Sequence, residues 1–244
     1  MIGRIVWLAS LSALALLITL LQLDRQSAAN PALANMVPGP LRGYAQTAIA
    51  GTATEGDDAA LALAETQRLV RRRPVPAEHL TLLAIAQAKA GAAEQASLTI
   101  QFAGQRGWRE PLAQEAVLRL ALAAGDKPEA ARRFAALFLR ASTSDELLRE
   151  LAPAVLGEAD GAGRRTLVDI ISTTDRWNDA FLRRGVQVMP PAAFAEIAGA
   201  SMERGTQFDC NVLAQVLKAL KQRDAVAAER LQASAHSQCP QAIG

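Results

Sequence analysis

The sequence predicts an all-α protein, with an N-terminal transmembrane helix followed by a domain of helix–turn–helix pairs. Three observations predict it. From Ile5 to Leu23 the chain carries no charge, glycine or proline, and nothing later resembles that stretch. Beyond it, Ala and Leu, both strong helix formers, supply most of the apolar content. Aromatic residues are only 4% of the chain, and the β-branched or aromatic runs that mark strands are scarce. Finally, Gly and Pro divide the later chain into segments of about 12–16 residues, the length of ordinary globular helices.

The first element is the apolar segment. Nineteen residues at 1.5 Å each span about 28 Å, one hydrocarbon core. A cleavable signal peptide and a buried core helix are the competing readings. Arg4 supplies a basic start, and Ser27-Ala28-Ala29 or Ala32-Leu33-Ala34 could be cleaved. Yet a signal-peptide core is usually 7–15 residues, and Asp24-Arg25 flanks the segment as polar residues flank a span. A helix apolar all round at this position has no neighbour to bury it. The expected element is therefore a signal anchor over 1–23, with residues 5–23 in the membrane. Arg4 and the α-amino group favour a cytoplasmic N-terminus. The domain would then lie outside the cytoplasmic membrane, in the periplasm if the cell is Gram-negative. Trp7 stands where interfacial Trp residues commonly occur.

Residues 24–56 are punctuated by Pro31, Pro38, Pro40, Gly39, Gly43, Gly51 and Gly56. That density opposes a packed helix, and the segment is expected to be a flexible tether with a short helical turn around Leu41–Ile49. As a coil it would span about 30 Å. A helix then starts at Asp57-Asp58, acids that suit its N-terminus, and ends at Arg71-Arg72-Arg73-Pro74. The arginine run reads as a solvated helix end, or as a contact for anionic headgroups or an acidic partner.

Two helix pairs follow. Ala77 to Ala90 places Leu80, Leu83, Ala84 and Gln87 on one face and stops at Gly91; Glu94 to Gln105 buries Ala96, Ile100 and Ala103. After Gly107-Trp108-Arg109-Glu110-Pro111, Leu112 to Ala124 stops at Gly125. Pro128 to Arg140 then carries Ala130, Phe134 and Leu137. Pro128 suits a helix start, where its missing N–H is no loss. Gly91 and Gly125, Ala96 and Ala130, Ile100 and Phe134, and Ala103 and Leu137 are each 34 residues apart.

That spacing, with a small residue (Ala130) early in the second helix and an aromatic (Phe134) four later, resembles the tetratricopeptide repeat. The first helices carry Leu80, Ala84 and Gln87 where the family has Trp, Gly and Tyr. The resemblance covers about residues 77–143, with 57–72 as the second helix of a leading unit, so that repeats occupy 57–143. Over 144–244 it fades into a C-terminal helical extension. Helices are expected there at 144–157, 162–173, 177–188, 191–204, 207–221 and 224–236, ending in a hairpin off the 34-residue grid. The resemblance implies an α-solenoid, irregular toward the C-terminus, with a groove that binds proteins.

Chemistry is sparse. Cys210 and Cys239 frame the terminal hairpin. Antiparallel helices of similar length bring those ends together, so the pair is the disulfide candidate, suited to an oxidising compartment. His236 adds a third metal-type ligand where structural zinc wants four, and no third group completes a Cys–His nucleophile. Gly157 to Thr166 lacks the Walker Lys-Ser/Thr and a preceding strand, and reads as a helix–helix loop. His79, at a helix start, reads as a surface or interhelical residue. Catalytic, cofactor and metal residues are therefore assigned to none of these positions. A net charge of +2 in 244 residues gives no nucleic-acid footprint.

Trp108 and Trp177 each follow a turn, where Trp either seals a core or anchors a partner. With Gln87 and Arg109 they are the partner-binding candidates. The expected function is a non-enzymatic, membrane-anchored scaffold that binds other proteins in cell-envelope assembly, such as surface-polysaccharide or secretion machinery. A structural subunit of a membrane complex and an enzyme with an unrecognised helical site are the alternatives. The sequence leaves the oligomeric state open.

Overall fold

The computed structural model describes residues 2–240. Every regular element among them is helical: thirteen α-helices and three 3-10 turns. They fall into two compact units, divided between Glu110 and Pro111.

The first unit begins with α1 (Ile2–Gln26). From Gly3 through Thr19 every residue of it is exposed, and only its last turns pack on the unit, at half-buried Leu23 and buried Asp24. Two 3-10 turns follow, Pro31–Met36 and Gly39–Leu41, and then α2 (Tyr44–Glu55), α3 (Ala59–Arg72), α4 (Ala77–Lys89) and α5 (Ala93–Arg106). The expected flexible tether is therefore corrected. Residues 24–56 hold a twelve-residue helix with Ala45, Gln46, Ala50 and Thr54 buried. The physical reason is a remote cap. Gly43 offers no side chain at the start of α2. Instead the Asp24 carboxylate accepts hydrogen bonds from the backbone N–H groups of Gly43 (2.8 Å), Tyr44 (3.1 Å) and Ala45 (2.9 Å). These are orphan donors of the first helical turn, which a carboxylate satisfies while opposing the helix dipole.

The second unit comprises α6 (Pro111–Ala123), α7 (Lys127–Phe138), α8 (Asp145–Leu156), α9 (Ala162–Ile171), α10 (Asn178–Val188), α11 (Pro191–Glu203), α12 (Cys210–Arg223) and α13 (Ala225–Ala235), with a 3-10 turn over Asp175–Trp177 before α10. Beyond Ser144 each observed helix begins and ends within three residues of its expected bounds. Within this unit α7 packs on α9, α9 on α11 and α11 on α13, while α8 packs on α10 and α10 on α12. The hairpins thus stack with first helices in one row and second helices in another. Phe181 on α10 joins the rows, with ring centroids 6.4 Å from Phe138, 5.4 Å from Phe194 and 6.1 Å from Phe208.

Helix starts carry a period that the residue pattern hides. First helices of successive hairpins begin at 44, 77, 111, 145, 178 and 210, in steps of 33, 34, 34, 33 and 32. In the first four hairpins the second helix buries three positions on a strict 34-residue grid: Ala62, Thr66 and Leu69; Ala96, Ile100 and Ala103; Ala130, Phe134 and Leu137; Arg164, Val168 and Ile171. Turns repeat too. Gly91 (φ 78°) and Gly125 (φ 75°) sit in the left-handed region. Around them Ala92 N–H bonds to the Gln87 carbonyl and Asp126 N–H to the Ala121 carbonyl, both at Schellman-type helix ends. The hairpin period therefore continues through the region where the sequence alone shows only decay.

Cations close many helix ends in both units. Arg72 donates to the Arg42 carbonyl (2.9 Å), Arg106 to Pro74 (2.7 Å) and Lys127 to Ala154 (2.7 Å). Lys89 bonds to the carbonyls of Thr54 and Gly56. Arg184 bonds to the carbonyls of Phe138, Arg140 and Thr143 and to Asp145. Where the carbonyl belongs to a last helical turn, as at Thr54, Phe138 and Ala154, the bond satisfies an orphan acceptor and complements the helix's negative pole.

Candidate functional site

The partner-binding candidates fall in both units, Gln87, Trp108 and Arg109 in the first and Trp177 in the second. Gln87 is half-buried on α4, and its Oε1 is buried without a hydrogen-bond donor. Trp108 follows α5 and is 51% exposed, so it seals no core; the Arg109 guanidinium lies 4.8 Å over its ring. Trp177, in the second unit, is half-buried at the 3-10 turn before α10, with Arg176 5.1 Å over it.

The residue reading missed an apolar pair on α5. Leu98 and Phe102, one helical turn apart, are 53% and 59% exposed. The other five phenylalanines of the chain are all buried, so Phe102 departs from how this fold uses the residue. The signal was present in the periodicity. If Ala96, Ile100 and Ala103 face inward, residues 98 and 102 point away from them at 100° per residue.

His79 is buried at the start of α4 and joins three elements. Its Nδ1 meets the Arg73 carbonyl at 2.8 Å and its Nε2 meets the Thr47 hydroxyl at 3.3 Å. Burial pushes the imidazole below its ordinary pKa, outweighing the hydrogen bond to the Arg73 carbonyl, which acts the other way. It is thus an interhelical residue rather than a surface one. It lines a cavity of about 380 Å³ with Ser27, Pro31, Tyr44, Thr47 and Arg73. A second cavity in this unit, about 320 Å³, is bordered by Thr52, Asp57, Asp58 and Leu61. The second unit has one of about 570 Å³ beside Phe138, Thr143, Asp145 and Arg184. Among the described residues no cluster of three or more His, Cys, Asp or Glu could hold a metal.

Cys210, opening α12, and Cys239, just past α13, stand at disulfide distance with Cα atoms 5.6 Å apart. His236 is exposed. The loop over 157–161 leads into α9, where Arg164 turns inward to the carbonyls of Leu156 (2.7 Å) and Gly157 (3.1 Å) and to Glu196. Those guanidinium bonds stitch helices together, in the segment whose spelling invites a phosphate loop.

Comparison with family models, curated proteins and solved structures finds no match to this chain.

Proposed function

We propose that this protein is a single-pass, membrane-anchored scaffold of tetratricopeptide-like helical hairpins that binds another protein of the cell envelope. The carrying observation is Phe102, exposed with Leu98 on the outward side of α5 while every other phenylalanine is buried. Exposed apolar pairs at helical spacing are what a partner helix or segment covers. The hairpin period of 32–34 residues supports the repeat reading, because stacked hairpins present long, continuous surfaces. The apolar α1, exposed from Gly3 through Thr19, supports the anchor, and the cysteine pair supports an oxidising, extracytoplasmic side. Surface-polysaccharide or secretion machinery is the proposed setting.

The test is a paired charge substitution, Leu98→Glu with Phe102→Glu, in the full-length protein purified from detergent-solubilised membranes. Both side chains are exposed, so the circular dichroism spectrum and melting temperature should hold. Loss of a co-purifying protein from this variant, and its retention by a variant altered on an exposed polar residue such as Gln101→Glu, is expected. An unchanged set of co-purifying proteins would contradict the proposal.

A further inference from the structure

Folding of the first unit gathers arginines at the C-terminal end of the apolar stretch of α1. Asp24, the first residue beyond the apolar stretch, is bonded to the N-terminus of α2, so that terminus lies beside the hydrocarbon edge. Arg72 donates to the Arg42 carbonyl and Arg73 stacks 4.3 Å over the Tyr44 ring, so the C-terminus of α3 lies at the same end. Arg106 donates to the Pro74 carbonyl, and a Cβ on Gly107 would collide with the Ala77 methyl, which brings the C-terminus of α5 there too. Arg25, Arg71, Arg72 and Arg106 are exposed at this end. With them are two exposed apolar groups, Val75 at 79% and Trp108 at 51%.

The acids here are Asp24, occupied with backbone N–H groups, together with Glu78 and Glu110. The opposite end carries Glu55, Asp57, Asp58 and Glu94 against Lys89, which is bonded to the Thr54 and Gly56 carbonyls. The unit's charge is therefore polarised, basic toward the end of α1 and acidic away from it. Arginine with Trp and an exposed aliphatic residue suits the headgroup layer, where Trp sits amphipathically and cations meet anionic lipid.

We infer that this end of the first unit is a membrane-seating surface, which binds the anionic phospholipid headgroups around α1 and holds the unit against the bilayer. The inference rests on the reading of α1 as a membrane span. It gives Trp108 a lipid rather than a protein partner, and gives Arg71–Arg73 a role beyond closing α3.

The test uses the full chain, with its native cysteine pair oxidised, carrying Val75→Cys labelled with a small fluorophore. It is reconstituted into phosphatidylcholine vesicles with or without about 30 mol% phosphatidylglycerol, both containing a lipid with a headgroup nitroxide quencher. Quenching is expected in the anionic vesicles. It should be lost in about 1 M NaCl, where charges are screened beyond about 3 Å. It should also be lost in Arg71→Glu with Arg72→Glu, while a label at Ala93→Cys, at the other end of α5, stays unquenched throughout. A protein that floats with the vesicles and resists alkaline extraction, yet whose label at position 75 is unquenched in anionic vesicles, overturns the seating surface and leaves the anchor standing. A protein that does not float overturns the anchor and the inference with it.

Discussion

At the residue scale, two buried polar groups do work that hydrophobic patterning does not reveal. Asp24 accepts three backbone N–H bonds from the start of α2 and is itself buried. Asp24→Ala should leave those donors without their partner and destabilise the first unit by about 1–3 kcal/mol. Amide hydrogen exchange should localise the loss to the first turns of α2, and uniform exchange along the unit would contradict that assignment. His79 makes a second prediction. Its folded-state pKa lies below the unfolded value, so below about pH 6.5 the unfolded chain binds the proton more readily. Stability is then undiminished at neutral pH and falls as pH drops below that value toward the folded pKa. Urea midpoints between pH 7.5 and 5 should show this slope, and His79→Gln should flatten it; an equal slope in the variant would place the titration elsewhere. Arg164 shows how one residue can hide a repeat. It occupies the grid position held by Ala62, Ala96 and Ala130, and its long side chain is accommodated by turning to the Leu156 and Gly157 carbonyls and Glu196.

At the element scale, what the sequence made legible follows from which interactions are local. The helices over 77–140 announce themselves through Gly91, Gly125, Pro128 and a regular apolar stripe, all signals within one helix and its caps. α2 does not, because its cap lies 19–21 residues upstream on another helix and its own segment holds Gly and Thr rather than Leu. The period after Ser144 was hidden for a related reason. The hairpin spacing is kept, while at one grid position the small residue gives way to the buried Arg164. The candidate site was less legible than the fold. Phe102 is found only by asking which face of α5 the stripe leaves outside, and the basic end only by knowing which helix termini meet. Cys210 and Cys239 were legible, since the two helices between them are of similar length. Closing a loop of 29 residues should stabilise the second unit against unfolding by about 3–4 kcal/mol on the chain-entropy model. Adding reductant should therefore lower the melting temperature of the second unit and spare the first; equal melting with and without reductant would contradict a bonded pair.

At the scale of the whole molecule, charge and topology make separate demands on α1. The rule that sets orientation weighs arginines within about 15–20 residues of a span. By that measure Arg4 and the amino terminus on one side face Arg25 and Arg42 on the other. Arg71, Arg72 and Arg106 reach the end of α1 only after folding, so they can seat the unit on lipid without having directed insertion. The cysteine pair supplies the independent argument for an oxidising side. Whether an anchored helical-hairpin domain stands outside the cytoplasmic membrane is decided by labelling intact cells with a membrane-impermeant maleimide, with and without reductant, and reading modification of Cys210 and Cys239 by mass. Labelling of both residues in intact cells is expected only after reduction. Free thiols that are labelled without reductant, and only once the cells are lysed, would contradict it and put the domain in the cytoplasm.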